Sequence, residues 1–472
     1  MKRVTMNFKE SLRQLIPPVL WRVGSTIWGR YRMATSPAYR QMIAEATAQK
    51  RHGFSDLSEL LAEIKKALAV DTVGEQLSRL SRFFYKMDIS PFADLDPFSP
   101  DYREKVLTTY QSISTNNHYD AMVMERTDST EQFDTANWPI PYRFADSRMV
   151  GEFLICYGWV LTTLDVKAGA DILEYGSGEG QLSIQLARMG CHVHAIDIEA
   201  RFLDAIKRQC RALGIDIFTQ VGRFGDGIGD KKFDRVVFFE AFHHCFDHQE
   251  ALTRIHDLLK PDGFICFSGE PIFTEQSPDR ELLPYHWGLR LDGEAIRAIA
   301  EFGWMELGYS EAYFIELLAR CGYAVECSRC PGAWRGDAYI ARPYRDRYPI
   351  ERDTLIRTHD GRSGWHPSEG THRWTDGDAW FPLSNRNRGT VKVTLANLGW
   401  EVTDVNLSCL SESAKFKLES GQETTVILIL PLGGEYLRIQ SGTFRPKTEA
   451  LLSSAERVLG VAVKAIEFPS AD

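Results

Sequence analysis

The chain has 472 residues, of which 44% are hydrophobic and 25% are charged, and its formal net charge is -9. This length suits two or three domains, and the composition is typical of a globular protein. The acidic balance argues against a nucleic-acid-binding protein, which would carry a basic domain or stripe. The nine cysteines lack paired spacing, which favours reduced thiols and a cytoplasmic protein.

Residues 1–135 are predicted to form an α-helical N-terminal region. In "SDLSELLAEIKKALAV" the apolar residues share one helical face after a Ser55 cap, and "VGEQLSRLSRFFYKM" repeats the pattern. Ser99-Pro100 is a helix-start signature. The stretch "FDTANWPIPYRF" is interpreted as a loop, either a strap packed across a neighbouring domain or part of a substrate wall.

The first 40 residues carry eight Lys or Arg against a lone Glu10. A basic segment with aromatic residues on an acidic protein could make a peripheral contact with an anionic membrane, here the inner membrane. The favoured interpretation is a solvated helical arm that packs its Leu and Trp side chains on the rest of the chain.

Strand and helix patterns alternate through residues 136–343. Apolar strands such as "ADILEYG", "HVHAIDI" and "FDRVVFFEAF" are separated by amphipathic helices, among them "HQEALTRIHDLLKPDG", which is predicted to stop at Pro261. This alternation predicts an α/β fold with a parallel sheet and right-handed crossovers.

The pattern changes again near residue 345. "RPYRDRYPIERDTLIRTHDGRSG" is interpreted as a charged linker. Short alternating strands separated by Gly, Asn and Ser then predict a C-terminal β-sandwich over residues 360–472. Its tryptophans Trp365, Trp374 and Trp380 could stack on a glycan if exposed, whereas buried ones would be ordinary core, the expected role of at least one.

The segment "DILEYGSGEGQ" places Gly176, Gly178 and Gly180 between a strand and a helix. In open α/β sheets, ligands bind beyond the carboxyl ends of the strands, where helix N-termini offer free N–H groups. Glycines there are expected to let a ligand touch the backbone. Asp197 ends the next strand, so its carboxylate is placed to accept both hydroxyls of a ribose.

Two details argue against a dinucleotide. The G-x-G-x-x-G fingerprint requires a third glycine three residues after the second, but Gln181 stands there. An acidic Glu174 would repel a pyrophosphate, whereas it suits a cationic ligand with an amino group.

These residues resemble the first motif of the class I S-adenosyl-L-methionine-dependent methyltransferases, over roughly Met149 to Ile340. The resemblance implies a Rossmann-like core with S-adenosyl-L-methionine as cofactor. It places the methionine part against the first loop and the ribose hydroxyls on Asp197. The cofactor-binding residues implied are Glu174, Gly176, Ser177, Gly178, Gly180, Asp197, Ile198, Phe224 and Glu240. One departure is that Arg223 and Phe224 stand where the family often has an acidic residue that reads the adenine amino group.

Methyl transfer from a sulfonium mainly requires alignment and exclusion of water, and a hydroxyl acceptor gains from a general base. His243 or His244, after the fourth strand, is the candidate base, although histidines there often only cap a helix or fill the wall. Glu240 and Glu270 are second choices. A metal held by His243, His244, Asp247 and His248 is conceivable, but adjacent histidines are expected to point apart, so no metal is predicted.

The acceptor is inferred from the flanking segments. Gly364-Trp365, Glu369 and Arg373-Trp374 resemble a β-sandwich module attached to enzymes of bacterial surface-polysaccharide assembly. The resemblance implies O-methylation of a sugar in a cell-surface glycan or its glycolipid precursor. Two alternatives stay open: a small-molecule O-methyltransferase, and a non-catalytic carbohydrate-binding protein on the same scaffold. The resemblance to the methyltransferases also implies that aromatic residues after the fifth strand cover the cleft, here Tyr285, Trp287, Trp304 and Tyr309. The alternative, a helical hairpin with its aromatic residues in the core, is at least as well supported for Trp304 and Phe314.

Overall fold

The computed structural model describes residues 51–70, 73–114, 116, 118–126, 140, 147–275, 277–386, 389–399, 401–445 and 457–469. The expectations for residues 1–40 and for nearly all of the loop at 133–144 lie outside these ranges. Among the described residues, no helix combines the length and the apolar character that crossing a membrane requires.

The described part of the N-terminal region is mainly helical, with one small parallel sheet. The predicted Ser99 cap is confirmed, because its hydroxyl accepts the Tyr102 N–H at 3.2 Å. The predicted Ser55 cap is wrong by one residue: Asp56 caps that helix by accepting the Glu59 N–H at 3.0 Å. The elements are β1 (His52–Phe54), α1 (Leu57–Ala67), α2 (Val73–Leu80), β2 (Phe83–Tyr85), α3 (Pro100–Ile113) and α4 (Ala121–Met124).

A second difference lies in "VGEQLSRLSRFFYKM", where a continuous helix was expected. The helix ends at Leu80, and Phe83–Tyr85 pair with His52–Phe54 instead. Aromatic side chains favour a strand where a partner strand is available, and Phe84 is buried by this pairing.

The central sheet has seven strands in the order β11-β12-β7-β6-β3-β4-β5. The five strands from β7 to β5 are parallel, as predicted, whereas β11 and β12 add an antiparallel edge. The strands are β3 (Asp171–Tyr175), β4 (His192–Asp197), β5 (Phe218–Val221), β6 (Phe233–Phe239), β7 (Leu259–Ser268), β11 (Tyr323–Ser328) and β12 (Ala338–Pro343). This arrangement is the Rossmann-like fold expected from the alternation of strands and helices.

Helices and a small accessory sheet surround the central sheet. The helices are α5 (Ser147–Leu164), α6 (Gln181–Arg188), α7 (Ala200–Leu213), α8 (His248–His256), α9 (Gly293–Phe302) and α10 (Glu311–Arg320). The accessory strands are β8 (Ile272–Phe273), β9 (Trp287–Leu289) and β10 (Leu307–Ser310). The predicted stop at Pro261 is wrong: α8 ends at His256 and Pro261 lies inside β7, where a register shift opposite Phe233 accommodates a residue that lacks an N–H.

The C-terminal region is a β-sandwich, as predicted, with sheets β13-β14-β21-β16-β19 and β15-β20-β17-β18. Alternate residues of β16 and β17, such as Val393 and Leu407, are fully buried between the two sheets. The strands are β13 (Trp365–Ser368), β14 (Arg373–Thr375), β15 (Asp378–Pro382), β16 (Gly389–Ala396), β17 (Thr403–Cys409), β18 (Glu412–Leu418), β19 (Glu423–Leu430), β20 (Tyr436–Ser441) and β21 (Ala462–Glu467).

The segment predicted to be a charged linker is packed on the sandwich. Tyr348, Ile350 and Ile356 are buried in the sandwich core. Charged residues between these three dominate the composition of the segment, so composition alone predicted a linker. The domain extents 1–135, 136–343 and 360–472 stay predictions.

The sandwich tryptophans offer little free aromatic surface. Trp374 is buried, as expected for at least one of the three. Trp365 donates its Nε1–H to the Trp380 carbonyl at 2.8 Å. The guanidinium carbons of Arg362 and Arg438 lie 3.8 Å and 4.6 Å from the centroid of the Trp380 ring. The predicted stacking of a glycan on these rings therefore receives no support from their surroundings.

Candidate functional site

A cavity of about 550 Å³ lies at the carboxyl ends of β3, β4 and β6. All but one of the residues predicted to bind the cofactor line it. They are Glu174, Gly176, Ser177, Gly178, Asp197, Ile198, Phe224 and Glu240. The exception is Gly180, which caps α6 in a left-handed conformation with φ of 81°. The predicted residues come from the seven-residue motif and from the ends of three later strands. The fold thus brings them to one wall of the cavity.

The glycines of the first loop have different roles. All three have positive φ, of 62°, 50° and 81° for Gly176, Gly178 and Gly180. A Cβ on Gly176 would lie 2.6 Å from the Ala241 Cβ, and one on Gly180 would lie 2.6 Å from Ile206 Cγ1. A Cβ on Gly178 would meet no described atom within 4 Å. The expectation that all three make room for a ligand is therefore corrected, because only Gly178 faces open space.

Glu174 is a buried carboxylate that lines the cavity. It accepts a hydrogen bond from the Ser183 hydroxyl. Burial raises its pKa to about 7, with a further contribution from the nearby charge of Asp197. Beside it, the buried Ser177 Oγ has no hydrogen-bond partner among the described residues. An acidic group and an unpaired hydroxyl fit the ammonium and carboxylate of an amino acid.

Asp197 connects the loop to the next strand. Its Oδ2 accepts the Gly178 N–H at 2.9 Å, and its Oδ1 accepts the Glu199 N–H at 2.9 Å. Burial raises its pKa to about 6. Each oxygen retains a further lone pair, so the carboxylate can also accept two ribose hydroxyls. The sequence did not indicate that Asp197 also fixes the glycine loop through this bond to Gly178.

Phe224 and Ile198 form the apolar part of the wall where an adenine is expected. The Phe224 ring is anchored edge-on against Phe238 at 5.3 Å. Asp226 is turned to its own loop, where it accepts the Arg223 N–H at 2.9 Å. Glu250 of α8 lines this cavity as well. It supplies an acidic group that sequence reasoning did not single out.

His243 and His244 lie in a 3-10 turn, Phe242–His244, directly after β6. Their ring centroids are 4.3 Å apart, so these neighbours do not point apart as expected. His244 lines the cavity, and His243 lies behind it. Glu270 holds the turn: it accepts the Ala241, Phe242 and His243 N–H groups at 2.9–3.0 Å and lies 2.9 Å from His243 Nδ1. Glu270 is therefore a positioning group rather than the second-choice base that was expected.

The two histidines have opposite electrostatic surroundings. Burial, with the charge of His244, holds the pKa of His243 well below its usual range. Burial also opposes protonation of His244, but Glu125 outweighs it and raises the His244 pKa to about 9. His244 Nδ1 lies 3.1 Å from Glu125 Oε2. At neutral pH, His243 is therefore neutral and His244 carries a proton.

Glu240 lines the cavity as predicted, but it is not a free base. It adopts a φ of 50°, which is unusual for a residue with a side chain. Its carboxylate forms an ion pair with Arg335. The expected role of Glu240 as a second-choice base is therefore weakened by this partner.

The far end of the cavity is built from segments outside the central sheet. Glu125, just after α4, accepts the Tyr119 hydroxyl at 2.8 Å and the Met305 N–H at 2.6 Å. Tyr119, Glu125 and Trp304 line the cavity. Of the aromatic residues expected to cover the cleft, Trp304 does so, whereas Tyr285, Trp287 and Tyr309 are buried in the core. No sequence pattern had singled out Tyr119 or Glu125.

The four residues considered for a metal do not come together. His248 is buried with its Nε2 2.8 Å from the Tyr313 hydroxyl, and Asp247 is paired with Arg103. A different group does converge, because His243, His244 and Glu306 bring ligand atoms within 4.8 Å of one another.

Residues 173–267 match the family model described as a methyltransferase domain. The ubiquinone biosynthesis O-methyltransferase of Xanthomonas euvesicatoria is 30% identical over 112 residues, which cover 23% of this chain and 46% of that protein. An uncharacterized methyltransferase of Geobacillus kaustophilus is 33% identical over 132 residues, covering 27% of this chain and 59% of that protein. The chain thus spans about half the length of the curated relatives it matches.

Solved structures of methyltransferases are similar at low identity. A S-adenosylmethionine-dependent methyltransferase from Clostridium acetobutylicum has a TM-score of 0.31 and 12% identity, over 40% of this chain and 92% of that one. Magnesium protoporphyrin IX methyltransferase from Synechocystis, with bound S-adenosylhomocysteine, has a TM-score of 0.31 and 14% identity, over 41% and 83%. Residues 173–267 of this chain are thus similar to a methyltransferase domain.

Proposed function

We propose that this protein is an S-adenosyl-L-methionine-dependent O-methyltransferase. The observation that carries the proposal is the wall formed by Glu174, Gly178 and Asp197. It combines an open backbone face with two buried carboxylates at the ends of adjacent parallel strands. A cationic nucleoside offers an ammonium, a sulfonium and two ribose hydroxyls. The two carboxylates therefore suit such a nucleoside better than they suit a phosphorylated nucleoside.

When bound, the cofactor supplies an electrophilic methyl group. The chain's part is to orient it and to align an acceptor in a site closed to water. Glu174 and Ser177 would hold the amino acid end, Asp197 the ribose, and Phe224 with Ile198 the base. The opposite wall, with Glu125, His244 and Trp304, is left for the acceptor.

An oxygen acceptor is favoured by the groups at that wall. A hydroxyl must lose its proton on methylation, and an imidazole is a side chain that can promote this loss near neutral pH. His243 is the candidate base of the two, because its surroundings keep the ring neutral, whereas a protonated His244 must first lose its proton to act. The action of either histidine as a general base stays a prediction.

We propose a sugar hydroxyl of a surface glycan or its lipid-linked precursor as the acceptor. Support comes from flat aromatic side chains, Trp304 and Tyr119, next to the Glu125 carboxylate. Such a set suits the C–H faces and hydroxyls of a sugar ring. A phenolic small molecule is the second candidate, because aromatic walls also fit a phenyl ring and a curated relative is named for ubiquinone biosynthesis.

The test is transfer of labelled methyl groups from S-adenosyl-L-methionine to fractions of a bacterial extract. Gly178→Arg would fill the open face of the loop, and Gly421→Arg is the matched control because that glycine also has positive φ and open space. Label in the glycolipid and polysaccharide fractions, lost only in Gly178→Arg, would support the sugar. Label confined to small molecules would favour the phenol. Failure of the wild-type protein to bind the cofactor in calorimetry would overturn the enzyme proposal.

A further inference from the structure

His243, His244 and Glu306 bring one ligand atom each within 4.8 Å of one another, beside the end of the cavity that Glu125, His244 and Trp304 line. We infer that these three residues form a binding site for a divalent transition-metal ion. Whether the ion binds does not depend on methyl transfer, whereas its use by the enzyme rests on the proposed function.

The hydrogen bonds of His243 decide which of its nitrogens is available. Glu270 accepts three backbone N–H groups, so it acts as a carboxylate acceptor toward His243 Nδ1 as well. The Nδ1 atom therefore carries the proton, and Nε2 of the neutral ring presents a lone pair. That Nε2 lies 3.9 Å from Glu306 Oε2. The Nε2 lone pair and the Glu306 carboxylate therefore face the same small space within a buried site.

Each histidine also has the supporting carboxylate that metal ligands usually have. Glu270 lies at Nδ1 of His243, and Glu125 lies 3.1 Å from Nδ1 of His244. Such carboxylates orient the ring and make its other nitrogen a better ligand, and His244 would give up its proton as the ion binds. Glu306 is held as well, because Arg290 Nη2 lies 2.7 Å from its Oε2. The three ligand side chains are thus fixed before any ion arrives.

The donor set indicates the class of metal. Two imidazoles and one carboxylate are typical of Zn²⁺ and its neighbours, whereas Mg²⁺ prefers oxygen ligands alone. Three protein ligands leave coordination positions open, and His244 places them next to the cavity. An acceptor hydroxyl coordinated there would release its proton to water at a lower pH than a free hydroxyl. This would give both histidines a role other than that of a base.

The experiment titrates the chelator-treated full chain with Zn²⁺ and separately with Mg²⁺ in a calorimeter. We expect one Zn²⁺ per chain and much weaker binding of Mg²⁺. His243→Asn keeps a side-chain N–H for Glu270 but removes Nε2, and Glu306→Gln keeps the volume of the side chain. Each should weaken Zn²⁺ binding more than about tenfold. The control His192→Asn changes an exposed histidine far from the site and should stay within about twofold.

Zn²⁺ also binds cysteine thiolates, and the chain has nine cysteines, so the experiment must identify the ligands. Co²⁺ replaces Zn²⁺ and reports its ligands: thiolate coordination gives an intense near-ultraviolet band, whereas the inferred site should give only visible bands. The thiolate band, or Zn²⁺ binding that His243→Asn and Glu306→Gln leave unchanged, would overturn the inference. Cofactor binding measured on the same samples keeps this outcome separate from failure of the proposed function.

Discussion

Gly178 and Gly180 lie two residues apart in one loop, but their lack of a side chain serves different ends. A Cβ on Gly180 would meet Ile206, whereas a Cβ on Gly178 would enter the cavity. We expect Gly180→Ala to lower the free energy of unfolding by about 1–3 kcal/mol, because it adds a clash to left-handed strain. Gly178→Ala should destabilise less and weaken cofactor binding more. Urea unfolding and calorimetry compare them, and the reverse ranking would contradict the assignment.

The buried carboxylates Glu174 and Asp197, which line the cavity, predict a pH dependence. Burial raises the pKa of Glu174 to about 7 and that of Asp197 to about 6. The folded protein therefore binds these two protons more tightly than the unfolded chain does, so protonation of the two carboxyls stabilises the fold. This contribution to the unfolding free energy is lost as the pH rises through the two pKa values. Between about pH 5 and pH 8 the ligand-free protein should lose on the order of 1–3 kcal/mol of unfolding free energy.

Urea unfolding of the ligand-free protein across this pH range measures the effect. Glu174→Gln removes one of the two groups, so its stability should depend less on pH than that of the wild type. A variant with the same pH dependence as the wild type would show that Glu174 does not titrate in this range.

At the scale of elements, the short helix α4 positions Glu125 against the cavity. Glu125 joins Tyr119, His244 and Met305, which come from three separate segments. We expect Glu125→Gln to lower kcat/KM for the acceptor by about tenfold or more, since it removes a charged partner of His244. Cofactor affinity should change little. Steady-state kinetics with calorimetry check this, Glu104→Gln on the surface of α3 is the control, and an equal loss of cofactor affinity would contradict it.

Elements were predicted best where local spacing decides them. The strand and helix around the glycine loop are confirmed, because their apolar periodicity and caps are local. The helix expected across Phe83–Tyr85 and the helix end expected at Pro261 are wrong. In both places a distant strand offers pairing, Phe83 with His52 and Leu259 with Phe233, and such partners leave no local signal.

At the scale of the whole molecule, Glu316 of α10 joins the central region to the sandwich. This fully buried carboxylate accepts the Tyr436 hydroxyl at 2.6 Å and lies 2.9 Å from His359 Nδ1 and 2.7 Å from Arg320. Removing its charge leaves Arg320 without its buried partner. We expect Glu316→Gln to cost about 3 kcal/mol and to separate the unfolding of the two regions.

Scanning calorimetry and limited proteolysis of residues 345–364 measure this coupling. Glu435→Gln is the matched control, because Glu435 also contacts Arg320, at 3.2 Å, but is half exposed. A single unchanged transition in Glu316→Gln would contradict the role of this contact.

The sequence by itself determined the Rossmann-like fold, the sandwich and most of the residues that line the cavity beside the glycine loop. Each depends on residues near in sequence or on strand ends that a parallel sheet brings to one edge. Only the tertiary structure decided the far end of the cavity, where Glu125 accepts the backbone N–H of Met305, 180 residues away, and the neighbouring contact of His243 with Glu306. The packing of whole elements brings these residues together, and no local period or spacing in the sequence indicates such a long-range contact.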